Sequence, residues 1–161
     1  MMEKYQEILQ ALPYGPGFCF VDRLNKLDAQ GVEGEYQFRR DAFWYAHHFP
    51  AKPITPGVLL IECMAQIGLV CLGLFLLEKD RPGLLRAAKQ AGGLPFLFGE
   101  SEVVFARPLS PGEVAVVKSE RRYWRLGKLK CSVRMEDADG RLIASGTLSG
   151  LRGREALNLE Q

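Results

Sequence analysis

Residues 57–77 read GVLLIECMAQIGLVCLGLFLL, an apolar run of a length that either crosses a bilayer or fills the centre of a domain. Its two polar members decide between these. Glu62 and Gln66 stand four apart, on one face of a helix, and no basic cluster flanks the run to set a membrane orientation. The reading is a buried central helix, with no membrane span. It begins at Pro56-Gly57 and stops near Glu78-Lys79-Asp80-Arg81, where charge appears and Pro82-Gly83 interrupts the pattern.

On either side of the helix the period changes to two. Val32, Gly34, Tyr36 and Phe38 alternate with Glu33, Glu35, Gln37 and Arg39, a strand with one wet face. Phe18 to Leu27 is read as the preceding strand, joined through the turn-prone Asp28-Ala29-Gln30-Gly31. After the helix, residues 84–95 are expected to form a short helix and a mobile connection. Val103 to Arg107 then forms a strand, Pro111-Gly112 turns the chain into Val114–Lys118, and Leu129 to Met135 alternates with Lys128, Lys130, Ser132 and Arg134. Asp137-Ala138-Asp139-Gly140 closes a last hairpin onto Arg141 to Leu148. Residues 151–161 are expected to be loosely ordered. Strands that follow one another without intervening helices describe an α+β protein, with one curved antiparallel sheet wrapped around a single helix.

The 161 residues suffice for one domain with a real core, 1–161, and are too few for two ordinary ones. Basic and acidic residues number 21 and 19, a net charge of +2 that argues against nucleic acid as a partner. Cys19, Cys63, Cys71 and Cys131 have no metal-ligand spacing and read as reduced, small apolar residues. The N-terminal MMEKYQEILQALPYG is amphipathic and lacks a signal-peptide pattern, so the expected location is cytoplasmic.

The chemistry concentrates just ahead of the helix. His47 and His48, the chain's two histidines, lie on a proline-rich loop, and Glu62 follows fourteen positions after His48, inside the helix. Val58, Leu59, Ala65 and Gln66 are the neighbours of Glu62 at helical contact spacing, and none is basic. Burial of that face would raise the pKa of the carboxyl and let it hold a proton near neutrality. The competing reading is a structural ion pair with a distant arginine such as Arg23 or Arg107, which would keep Glu62 charged. Gln66, one turn on, either orients Glu62 or caps a buried polar cluster. Adjacent histidines suggest a metal, but successive side chains of an extended segment point apart and no further ligand stands at a recognisable spacing, so no metal site is expected.

The string HFPAKPITPGVLLIECMAQ, residues 48–66, resembles the signature of the 3-hydroxyacyl-[acyl-carrier-protein] dehydratases of the FabZ and FabA type. Val21-Asp22-Arg23, within Phe18 to Leu24, and Phe105-Ala106-Arg107-Pro108-Leu109-Ser110-Pro111-Gly112 resemble further segments of those enzymes, so the likeness covers a core of about residues 13–150. It implies the hotdog fold. It also implies His48 and Glu62 as catalytic residues, with Gly57, Val58, Phe49 and Gln66 at the substrate. By the same resemblance the protein is a homodimer, with a hexamer built as a trimer of dimers as the larger assembly, and the active site pairs His48 of one subunit with Glu62 of the other. No cofactor is implied, because the substrate arrives on the phosphopantetheine arm of acyl carrier protein.

Elimination of water asks for a base at the α-carbon, donors for enolate-like charge on the thioester carbonyl and an acid for the β-hydroxyl. Neutral His48, the N–H groups that open the central helix and protonated Glu62 suit these tasks, with two divisions of labour open to the pair: His48 as base and Glu62 as acid, or His48 doing both while Glu62 holds a water or the hydroxyl. The resemblance implies a trans-2-enoyl thioester as the product class, in fatty acid synthesis or a related lipid or polyene pathway. A hotdog thioesterase is the second reading, and a non-catalytic acyl-carrier binding subunit the third. One departure stands out, because the family commonly has glycine before the catalytic histidine and this chain has His47. Arg121, Arg122, Arg125, Lys128, Lys130 and Arg134 form either a solvated strand face or a dock for the acidic carrier protein, with Arg39 and Arg40 as another candidate patch.

Overall fold

The computed structural model describes residues 2–153. Helix α1, Met2–Ala11, leads through a 3-10 turn at Pro16–Phe18 into β1, Arg23–Leu27, and β2, Gly31–Gln37. A loop then reaches the central helix α2, Gly57–Asp80, and the short helix α3, Leu84–Gln90. Four strands follow: β3, Phe96–Phe105; β4, Val114–Arg125; β5, Lys128–Glu136; and β6, Leu142–Arg152. Every pairing is antiparallel, in the order β1-β2-β4-β5-β6-β3.

Helix α2 lies against this sheet and forms the core. By length and composition it could cross a membrane, yet 78% of its most apolar window is buried inside the protein, which is the arrangement of a core helix. Ile67, Leu69, Val70, Leu72 and Leu74 have no exposed surface, and each such side chain stabilises the fold by roughly 1.5–3 kcal/mol. The helix approaches the sheet closely at Gly68, where an added Cβ would come within 2.9 Å of the Val133 side chain. Between Gln66 and Cys71 the helix widens into a π-helical turn, a distortion that recurs at functional sites.

Three expectations change. Phe18 to Phe20 does not join the sheet, because the Phe20 amide and the Phe18 carbonyl are bonded by the side chain of Gln66 instead, and β1 starts at Arg23. Strand β3 begins at Phe96, seven residues before Val103, and it draws β6 on to Arg152 through the Phe96–Arg152 pairing. Leu151 and Arg152 are therefore strand residues, while 154–161 lie outside the described residues. Strand β4 runs on from Lys118 to Arg125 and turns tightly at Leu126-Gly127, both with positive φ (51° and 73°), into β5.

Candidate active site

The loop before α2 is built to hold a histidine. Phe43–Ala46 form one 3-10 turn, and the amides of His47 and His48 both donate to the Trp44 carbonyl, at 3.0 and 2.8 Å. His48 is half-buried, and its Nδ1 lies 3.1 Å from the carbonyl oxygen of Ile54. A carbonyl oxygen can only accept, so Nδ1 carries the proton and Nε2 is the basic nitrogen. The peptide between His48 and Phe49 is cis. Farther along, the Thr55 amide donates to the Leu109 carbonyl at 2.8 Å, and the Thr55 and Tyr45 hydroxyls, both buried, are 2.6 Å apart. His47 is exposed, and no group of three His, Cys, Asp or Glu suited to a metal occurs among the described residues.

His48 lines an open cavity of about 360 Å³ together with Thr55, Gly57, Leu60, Phe105 and Arg107. Gly57 opens α2, and Pro56 before it offers no side-chain cap, so the first N–H groups of the helix lack an intrahelical acceptor and carry the positive end of its dipole. The Phe105 ring packs directly on Gly57, where a Cβ would come 3.0 Å from Cζ. The cavity thus joins a basic imidazole nitrogen to an anion-stabilising helix end under an aromatic wall. A larger cavity of about 490 Å³ lies at the far end of α2, beside Asp80 and Trp124, and has no histidine.

Glu62 is not among the residues lining the His48 cavity. It is half-buried, and Gln66 Nε2 donates to its Oε1 at 2.8 Å. The same amide nitrogen donates to the Phe18 carbonyl at 2.9 Å, and Gln66 Oε1 accepts from the Phe20 amide at 2.7 Å. Gln66 therefore does both things expected of it, orienting Glu62 and satisfying a buried polar cluster. No ion pair to Glu62 exists among the described residues: Arg23 pairs with Glu35 at 2.9 Å, and Arg107 pairs with Asp137 and Glu113. Tyr14 stands near Glu62, where burial and then the carboxylate push its phenol well above the ordinary range.

Phe49 and Val58 are 56% and 73% exposed in the single chain and do not line the cavity. Thr55, Leu60, Phe105 and Arg107 are lining residues that the sequence did not single out for this role. Thr55 had a visible signal, since it sits between Ile54 and Pro56 in the same motif. Burial pushes the thiols of Cys63 and Cys71 up, and all four cysteines are free. The basic residues from Arg121 to Arg134 lie on the β4–β5 hairpin, where Arg122 bonds Ser132 and Arg134 bonds Glu136.

Residues 12–146 match the FabA-like domain. The 3-hydroxyacyl-[acyl-carrier-protein] dehydratase FabZ of Thermus thermophilus is 33% identical over 144 residues, covering 89% of this chain and 93% of that protein. FabZ of Sinorhizobium medicae is 33% identical over 152 residues, covering 91% and 87%. Among solved structures, the dehydratase heterocomplex ApeI:P of Xenorhabdus doucetiae superposes with a TM-score of 0.65 at 13% identity, over 96% of this chain and 97% of that one. The Escherichia coli PaaI protein of the phenylacetic acid degradation operon gives 0.57 at 12%, over 94% and 100%. These structural likenesses concern the fold. From the His48 loop, the exposed start of α2 and the sequence match over most of its length, the chain belongs to the FabA-like domain family and has its hotdog fold.

Proposed function

We propose that this protein dehydrates 3-hydroxyacyl chains carried on acyl carrier protein, the activity that the FabZ name of its relatives states for them, and that the products are trans-2-enoyl thioesters. The observation that carries the reading is the cavity in which His48, its Nδ1 held by the Ile54 carbonyl, faces the uncapped start of α2 at Gly57. His48 Nε2 removes the α-proton. The charge that moves to the thioester oxygen is stabilised by the N–H groups at Gly57 and Val58. Glu62 gives a proton to the β-hydroxyl, the C–O bond breaks, and water leaves as the double bond forms. The chemistry draws on side chains, the helix end and the phosphopantetheine thioester of the substrate, with no further cofactor.

The Glu62 that serves a given His48 belongs to a second copy of the chain in this reading. Two features support a homodimer. Glu62 is outside the cavity of its own His48, and β3 is an edge strand whose Leu97, Phe98, Val104 and Phe105 are all exposed, a combination that a partner's matching edge would cover. Phe49 and Val58, exposed in one chain, then meet the substrate or the partner. A cytoplasmic location suits the four free cysteines.

The test supplies a 3-hydroxyacyl thioester of acyl carrier protein and follows conjugated enoyl product beside free thiol. Enoyl product with the thioester intact is expected. Thiol release without enoyl product would make the chain a thioesterase, and neither signal would leave a binding subunit.

A further inference from the structure

The loop that holds His48 contains a buried pair of hydroxyls to which the reaction above gives no task. Tyr45 and Thr55 are 5% and 3% exposed, and their oxygens are 2.6 Å apart. We propose that this pair positions His48, by locking the peptide unit whose carbonyl selects the imidazole tautomer. The proposal rests on His48 as the base of the dehydration.

The geometry follows from the peptide plane. The Ile54 carbonyl and the Thr55 amide are two ends of one rigid unit. One end bonds His48 Nδ1 at 3.1 Å, and the other donates to the carbonyl of fully buried Leu109 at 2.8 Å. Rotation of that unit would move the acceptor away from the ring, so the tautomer depends on what fixes residue 55. The Thr55 side chain is fixed by Tyr45, which stands in the 3-10 turn whose Trp44 carbonyl also takes the His48 amide. The hydroxyl pair therefore ties together the two arms of the loop, the turn before His48 and the segment that enters α2. Both oxygens are buried, so water does not substitute for either partner.

A role limited to packing is separated from positioning by observing the ring itself. The chain has two histidines, so protein labelled with nitrogen-15 in histidine gives two sets of imidazole signals, with exposed His47 as the internal reference. In the unsubstituted protein His48 is expected in the Nδ1–H form. Thr55→Val and Tyr45→Phe should move it toward the tautomer mixture that His47 shows, lower kcat about tenfold and leave KM within about twofold. Thr55→Ser, which restores the hydroxyl, should restore both readouts. The double variant Tyr45→Phe/Thr55→Val leaves neither hydroxyl unpaired and replaces the single variants if either fails to fold.

Unchanged His48 signals in the folded variants overturn the proposal, whatever happens to turnover. The spectra do not depend on catalysis. An unsubstituted protein with no dehydration activity would count against the proposed reaction, while the tautomer still decides the role of the pair.

Discussion

The carboxylate of Glu62 meets one side-chain donor, the amide of Gln66, and no cation among the described residues. A residue so placed is easily perturbed through its support. Gln66→Leu leaves the Phe20 amide and the Phe18 carbonyl without their buried partner and is expected to cost about 2–4 kcal/mol in a urea melt, with a fall in kcat because Glu62 loses its orientation. Unchanged stability would mean that water replaces the side chain at this site. His48→Ala and Glu62→Gln remove the proposed base and the proposed acid, and each should lower kcat by about 10²- to 10⁴-fold while the fold survives, as judged by circular dichroism and thermal melting. Full activity in either variant would remove that residue from the chemistry. At this scale the Glu62–Gln66 pair was legible, because four residues of helical spacing put the two side chains on one face. The Tyr45–Thr55 contact was not, since it is made by a loop that folds back on itself and leaves no periodic trace.

Among the elements, the bounds of α2 were readable, because a long and mostly apolar run bounded by Pro56-Gly57 and Pro82-Gly83 has few other solutions, while the π-helical turn inside it was not. The alternation of β2 and β5 was equally plain. Strand β3 was only half visible: it starts directly after Pro95, and most of its residues are exposed whichever way they face, so no alternation marks it. The β4–β5 turn was missed because Leu126-Gly127 lacks the Asn-Gly or Asp-Gly pattern of two-residue hairpins, and Leu126 takes a positive φ unusual for its shape. The β5–β6 turn shows its chemistry more openly. Desolvation acts to raise the Asp137 pKa, but bonds from the Arg141 amide, the Arg141 side chain and the Asp139 amide outweigh it and hold the carboxyl below its ordinary value. A carboxyl with a lowered folded pKa binds protons more weakly in the native state than in the unfolded one. Its stabilisation is complete above the ordinary range near pH ~4 and is lost as pH falls through the lowered value. Glu136, lowered chiefly by its bond to Lys118, acts in the same direction. Asp137→Asn should therefore lower the melting temperature at pH 7 and flatten its decline in acid. An unaltered acid slope would assign that slope to other carboxylates.

For the whole molecule, the proposed homodimer accounts for two observations together, the exposed apolar edge and the position of Glu62 outside the cavity of its own His48. Strand β3 ends the sheet with Leu97, Phe98, Val104 and Phe105 uncovered, and Val104, at 71% exposure, costs the isolated chain little when changed, within about 0.5 kcal/mol. Val104→Lys should thus yield a folded monomer in analytical ultracentrifugation and abolish dehydration. A variant that remained dimeric and active would put the interface elsewhere. The division of the site between two chains is tested most directly by complementation. His48→Ala and Glu62→Gln subunits, each inactive alone, are unfolded and refolded together in equal amounts. About half of the dimers are then mixed, and each mixed dimer carries one site with both groups intact, so about one quarter of the original activity should return. A mixture no more active than its two components would contradict a site built from His48 of one subunit and Glu62 of the other.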